Sequence, residues 1–323
     1  MSVNGDQVGH PAETVTYEPV PHWGALPQGV SFGGDATSVA VDSEDNVYVF
    51  NRGSVPVVVL DRDGAVVDSW GEGEFDQPHG IFIDGADHLY LVDAGGHFVQ
   101  KRTREGKLLF TIGTRGEPTP LRSGRHFNRP TDVVVHRSTG ELFVSDGYGN
   151  ARVHKFDPAG NHIASFGEPG ADEGQFCLPH GIEVLGDDRL IVCDRENFRL
   201  QIFTTSGEWL EQWHAHRPAA VRLTADGDAV FVAELGYPGQ HGAPNVGCRV
   251  CIRSLDGKQP AHLGSPVPGF EPGQFYAPHG LAVDSRGDLY VAEVNYSYTV
   301  RELRREPPRF EVASLRKWRR AGA

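Results

Sequence analysis

A tetrapeptide that recurs three times fixes most of what this chain can fold into. Gln77-Pro78-His79-Gly80, Leu178-Pro179-His180-Gly181 and Ala277-Pro278-His279-Gly280 set their histidines 101 and 99 residues apart. A constant internal period points to repeated supersecondary units that bury their apolar faces against one another. The same local order returns around each copy. An alternating apolar run such as Gly80-Ile-Phe-Ile-Asp84 or Gly280-Leu-Ala-Val-Asp284 leads to a turn, then to a second run ending on Asp93, Asp146, Asp194, Glu234 or Glu293. A third run follows, then a turn at Asp63-Gly64, Glu105-Gly106, Ala159-Gly160, Ser206-Gly207 or Asp256-Gly257. A fourth run often closes at Trp70, Ile112 or Phe166. Period-two runs bounded by glycine dipeptides read as short antiparallel strands and hairpins.

Aligned on the histidine, the units begin at Thr37, His79, Thr131, His180, Ala219 and His279, with spacings of 42, 52, 49, 39 and 60 residues. Four strands at such an interval make one propeller blade. The expected fold is therefore all-β: a single six-bladed β-propeller over residues 31–313, with four antiparallel strands per blade. The 40 glycines and 22 prolines leave no long amphipathic helical period. The last unit is one strand short. Either Arg309-Phe-Glu-Val-Ala313 or a segment near Thr14–Val20, within an N-terminal extension over 1–30, is expected to complete it and remove the open sheet edge. Residues 314–323, with Arg316-Lys317-Trp318-Arg319-Arg320, read as a basic, solvated C-terminal tail.

A net charge of −13 argues against nucleic acid as a partner, because phosphate binding needs clustered Lys and Arg. No apolar run approaches a membrane span, so no membrane partner is expected. The first 30 residues show no apolar core behind basic residues, and the expected location is cytoplasmic. Cys177, Cys193, Cys248 and Cys251 are too sparse for a disulfide scaffold. Cys248-Arg-Val-Cys251 has CxxC spacing, but strand alternation sends its sulfurs to opposite faces, against a zinc knuckle or redox pair.

First strands of propeller blades line the central channel. Histidines in blades 2, 4 and 6 of a six-fold ring are related by about 120°, so three imidazoles at one level converge on the axis. That is the ligand set of a three-histidine zinc site with an open fourth position. Iron, copper or nickel would also accept imidazole. The preceding prolines restrict the strand entry from which each ring is presented. Arg52, Tyr148 and Arg195 fall just past the second strands of blades 1, 3 and 4 and are expected at the same mouth. Two guanidinium groups beside a dication suit a small anionic, carboxylate-bearing substrate. Tyr148, between two glycines, would serve as a general base where cations depress its pKa from about 10. Single histidines such as His97, His126 and His154 read as surface or turn residues. The blade 5 insertion Gly236–Gly247, with Tyr237 and His241, is either a substrate lid or an ordinary connection.

Four segments carry a family resemblance: Phe127-Asn-Arg-Pro-Thr-Asp132, Gly140-Glu-Leu-Phe-Val-Ser-Asp-Gly-Tyr-Gly-Asn-Ala-Arg152, Gly174-Gln-Phe-Cys-Leu-Pro-His180 and Asp194-Arg-Glu-Asn-Phe-Arg-Leu-Gln-Ile-Phe203. Together they resemble the catalytic core of the peptidyl-α-hydroxyglycine α-amidating lyase (peptidylamidoglycolate lyase) family, six-bladed propellers of NHL-type repeats. The resemblance implies zinc held by His79, His180 and His279, a catalytic tyrosine at Tyr148 and active-site arginines at Arg52 and Arg195. It also implies a reaction in which R-CO-NH-CH(OH)-COO⁻ splits into an amide and glyoxylate.

The chain departs from that pattern in several places. The family's structural calcium would take backbone carbonyls at Val39 and Ile81, but Gly280 stands where its aspartate belongs, so Ca²⁺ is not expected. Ala277 replaces a methionine, and Gly149 stands where a disulfide cysteine is expected. A cytoplasmic chain without a fused monooxygenase domain points to a carbinolamine substrate smaller than a peptide hormone. Two other functions suit the same residues: a metal-dependent hydrolase of an ester, lactone or amide, and a non-catalytic NHL interaction module.

Overall fold

The computed structural model describes residues 16–321 apart from 187, 237–246, 260 and 308–312. Its six sheets each hold four antiparallel strands, and the chain is a six-bladed β-propeller. Blades 1 to 5 run in simple sequence order, from Ala36–Val41 in the first to Ala261–Leu263 in the fifth. Among the described residues no helix is long and apolar enough to cross a membrane.

The sixth blade is closed by the N-terminal segment, one of the two expected alternatives, and corrects the reading of the C-terminal end. Its third strand is Leu315–Arg320, paired with Leu289–Glu293, and its outermost strand is Tyr17–Pro19, with Tyr17 opposite Arg320 and Pro19 opposite Trp318. The basic segment is thus a strand of the propeller, not a solvated tail. Leu315 and Trp318 are buried, and the charges that mask the strand pattern each meet an acid. Arg316 Nε lies 2.9 Å from Glu293, Lys317 Nζ 3.1 Å from Asp288, Arg319 3.2 Å from Glu18 and Arg320 3.1 Å from Asp226. The alternative strand at Arg309–Ala313 falls almost entirely outside the described residues. Joining the two ends of the chain in one blade closes the ring and leaves no unpaired edge between first and last units.

Two recurrent devices bring the chain to the channel. A phenylalanine four residues before four of the six aligned positions (Phe75, Phe127, Phe176 and Phe275) is buried between neighbouring blades, with Phe75 edge-on to Phe50 at 5.0 Å. Removing such a ring costs about 3–5 kcal/mol, so each anchors its turn firmly. The acids that end the second strands are fully buried and accept backbone N–H groups of the same turn. Asp93 takes Asp76 and Gln77, Asp194 takes Cys177 and Leu178, and Glu293 takes Tyr276 and Ala277. Arg199, Arg249 and Arg316, on the third strands, neutralise Asp194, Glu234 and Glu293 at 2.7–2.9 Å. The strand-ending acids therefore fix the entry to each first strand.

Candidate metal centre

The first strands Pro78–Ile83, Pro179–Val184 and Pro278–Val283 present His79, His180 and His279 to the axis. All three are buried, and their ring centroids form a near-equilateral triangle with sides of 4.9, 4.9 and 4.7 Å. One ligand nitrogen from each lies within 4.8 Å of the other two.

Each ring is tied back to the next blade. Nδ1 of His79 lies 2.6 Å from the Thr131 carbonyl, that of His180 2.6 Å from Ala219, and that of His279 2.7 Å from Thr37. A carbonyl only accepts, so the network assigns the proton to Nδ1 and leaves the lone pair on Nε2. The alternate blades thus contribute a backbone oxygen, which explains why Thr, Thr and Ala can share one role. The threonine hydroxyls are used elsewhere: Thr37 Oγ1 donates to Phe50 O at 2.9 Å, and Thr131 Oγ1 reaches Ser145 O and Pro179 O at 3.0 Å.

The glycine after each histidine makes this contact possible. A Cβ at Gly80 would meet Thr131 O at 2.7 Å, at Gly181 the Ala220 Cα at 2.7 Å, and at Gly280 the Ser38 Cα at 2.5 Å. Only a residue without a side chain lets adjacent blades approach closely enough for the imidazole–carbonyl bond. Pro-His-Gly is therefore a complete device: restricted entry, ligand, close approach.

Burial holds the pKa of His79 and His180 well below the ordinary imidazole value, with the nearby arginines and partner histidines adding to it. Burial likewise pushes His279 down to about 3, with Arg52 and Arg195 adding to the effect. Three neutral imidazoles, oriented through Nδ1 with Nε2 inward, fit a borderline divalent ion such as zinc. The residues present are therefore suited to the metal.

Tyr148 lies over this ring. Its hydroxyl is 3.1 Å from His79 Nε2 and 3.3 Å from His180 Nε2. Gly147 permits the approach, since a Cβ there would meet Pro179 O at 2.0 Å. Arg195 stands 5.7 Å from the Tyr148 ring centroid, with its Nε held by Glu196 at 2.9 Å. Arg52 is engaged by Asp35 at 3.2 Å and by Ser297 Oγ at 2.8 Å, where the helical turn Asn295–Ser297 meets blade 1. Its Nε is buried without a hydrogen-bond partner among the described residues. The three residues named from the sequence thus gather around the imidazoles, Arg52 with part of its donor set already committed.

Two features escaped the sequence. Arg129 packs on the Tyr148 ring at 4.8 Å, and its backbone N–H donates to His97 Nδ1 at 3.1 Å. It occupies the residue before the aligned Pro-Thr, the place held by Gln77, Leu178 and Ala277, and that alignment was the signal available. Below the imidazoles, Arg222 forms a buried pair with Asp132 at 3.2–3.3 Å and donates to Ile182 O at 3.1 Å. Arg222 also lines the cavity of about 770 Å³ that Val39 and Ile81 border. A calcium ion does not fit there. Gly280 supplies no carboxylate and has no room for one, and a fixed guanidinium already provides the positive charge.

The four cysteines are free, and Cys251 packs in the core between blades 4 and 5 while Cys248 Sγ lies 3.2 Å from Tyr276 O. The candidate lid residues Tyr237 and His241 lie outside the described residues.

The profile of the NHL repeat matches residues 127–156, 176–203 and 275–302. NHL repeat-containing protein 3 of Mus musculus is 32% identical over 281 residues, covering 81% of this chain and 78% of that protein. Peptidyl-alpha-hydroxyglycine alpha-amidating lyase 1 of Drosophila melanogaster is 31% identical over 318 residues, covering 81% and 56%. Peptidylglycine alpha-amidating monooxygenase of Rattus norvegicus is 34% identical over 205 residues, covering 53% of this chain and 21% of that protein. The chain thus spans only about a fifth of the rat protein's length. A streptogramin B lyase structure superposes with a TM-score of 0.60 at 12% identity, covering 95% and 97%, a likeness of fold alone.

Proposed function

We propose that this chain, which belongs to the NHL-repeat six-bladed propeller family of the amidating lyases and NHL repeat-containing protein 3, is a metal-dependent carbon–nitrogen lyase. Its substrate is an N-acyl-α-hydroxyglycine or a similar carbinolamine, and its products are an amide and glyoxylate. The observation that carries this reading is the Tyr148 hydroxyl, set against Nε2 of two carbonyl-oriented imidazoles.

His79, His180 and His279 would hold the ion through Nε2. A zinc ion bound there supplies Lewis acidity to the substrate hydroxyl and offsets developing negative charge. Tyr148 Oη, as the phenolate, takes the proton of the carbinol hydroxyl, the C–O bond becomes a carbonyl, and the C–N bonding pair leaves with the amide nitrogen. The nitrogen then gains a proton, so the hydroxyl proton ends on the amide. Arg195 and the unpaired Nε of Arg52 provide planar donors for the substrate carboxylate. Arg129, packed on the Tyr148 ring, holds its orientation and adds positive charge.

The test is release of glyoxylate and amide in equal amounts from a panel of N-acyl-α-hydroxyglycines, by wild type and Tyr148→Phe. Stoichiometric products from wild type, lost in the variant with metal retained, support the lyase. Turnover of lactones or esters without any glyoxylate would replace it with a hydrolase. Retained metal with no turnover of either class would leave a binding module.

A further inference from the structure

We propose that blade 3 carries a second transition-metal site, formed by His126, His154 and His162 and independent of the channel centre. The three come from different elements. His154 lies on the third strand Arg152–Phe156, His162 opens the outer strand His162–Phe166, and His126 sits in the loop that enters the blade. One ligand nitrogen from each lies within 4.8 Å of the others, as in the channel triad. Ring centroids are 5.8 Å apart for His126–His154, 5.1 Å for His126–His162 and 6.0 Å for His154–His162.

The buried member is oriented as a ligand. His154 Nε2 lies 3.2 Å from Oδ2 of the fully buried Asp146, which also accepts from Asn128 N at 3.0 Å and Asn150 Nδ2 at 2.9 Å. The carboxylate accepts the hydrogen bond of Nε2–H, which leaves the Nδ1 lone pair on the side of the other two rings. A carboxylate behind a histidine is the usual outer-shell partner of a metal-bound imidazole. In blades 4, 5 and 6 the corresponding acid pairs with an arginine, whereas in blade 3 Asp146 pairs with His154.

One hydroxyl now stands between the nitrogens. Ser165 Oγ lies 2.7 Å from His154 Nδ1 and 2.8 Å from His162 Nε2. Turning Ser165 aside opens the place where an ion would sit. Bonds of about 2.0–2.1 Å then require the rings to close by roughly 1 Å. The half-buried His126 and exposed His162 have the freedom to do so. Imidazole ligation selects Zn²⁺, Cu²⁺ or Ni²⁺ over Ca²⁺ or Mg²⁺. Because Asp146 is two residues before Tyr148, an ion here would brace the loops that carry Tyr148 and Arg129.

The test uses untagged full-length protein loaded with zinc and dialysed against buffer. Wild type retains two equivalents, His162→Ala one, and His180→Ala one. By chelator competition, His162→Ala weakens the second equivalent at least tenfold and leaves the first unchanged. In the His180→Ala background zinc raises the melting temperature, and adding His162→Ala abolishes the rise, which separates loss of the site from a folding defect. Equal zinc content in wild type and His162→Ala would overturn the proposal.

Discussion

The hydroxyl of Tyr148 reaches Nε2 of His79 at 3.1 Å from a different blade, joining the loop after one second strand to the start of another blade's first strand. The phenol ring gives this contact and packs under Arg129, so its hydroxyl and its ring are separable. Tyr148→Phe keeps the ring and removes the proton-carrying oxygen. The expected outcome is a fall in kcat of about 10²–10⁴-fold with metal content unchanged. Steady-state glyoxylate release beside elemental analysis checks it.

Blade-to-blade approach at Pro-His-Gly makes a sharp prediction for Gly181→Ala. The new Cβ would meet Ala220 Cα at 2.7 Å and Ala219 O at 2.8 Å, forcing apart the two blades that the His180–Ala219 bond joins. Stability should drop by about 1–3 kcal/mol, and zinc affinity by about 10–100-fold as the orienting bond is lost. Denaturant unfolding and chelator titration would reveal both effects.

Acid should destabilise the metal-free protein from near pH 6.5 downward. His79, His180 and His279 have folded-state pKa values below the unfolded one, so the unfolded chain binds protons first as pH falls. Their stabilisation is full above about pH 6.5 and is lost progressively, for His279 until about 3. Each contributes a slope of about 1.4 kcal/mol per pH unit within that window. Urea midpoints at pH 7.0, 6.0 and 5.0 should decrease steadily; a flat series would refute the assignment of neutral buried imidazoles.

Arg222 takes the role of a fixed internal cation. Arg222→Met leaves the buried Asp132 carboxylate unpaired and should cost about 3–5 kcal/mol. Calcium should not shift the melting temperature of wild type. Thermal melts with calcium and with chelator test the second point without reference to activity.

Much of this architecture was legible because its causes are local and repeated. Alternating strands, glycine turns and the Pro-His-Gly period are written in neighbouring residues, so the six blades and the converging His79, His180 and His279 follow from spacing. Arg52, Tyr148 and Arg195 could be named because each follows a recognisable strand end. What stayed hidden depends on pairing across the chain. Leu315–Arg320 looks solvated until Glu293, Asp288 and Glu18 are beside it. The carbonyls of Thr37, Thr131 and Ala219 carry no side-chain signature at all. The reading of His154 as a surface or turn residue fails because it is fully buried on the third strand of blade 3, beside Asp146, His126 and His162. Asp132 and Arg222 stand 90 positions apart, too far for any local pattern to join them.

The most direct test is X-ray absorption at the zinc edge on His162→Ala, in which only the channel centre remains, together with His162→Ala/His180→Ala. The prediction is one tightly held zinc with three imidazole nitrogens at about 2.0–2.1 Å, and loss of that zinc in the double variant. Failure to retain zinc, or a first shell with fewer than three imidazoles, would contradict the claim that alternate blades build one metal centre on the axis.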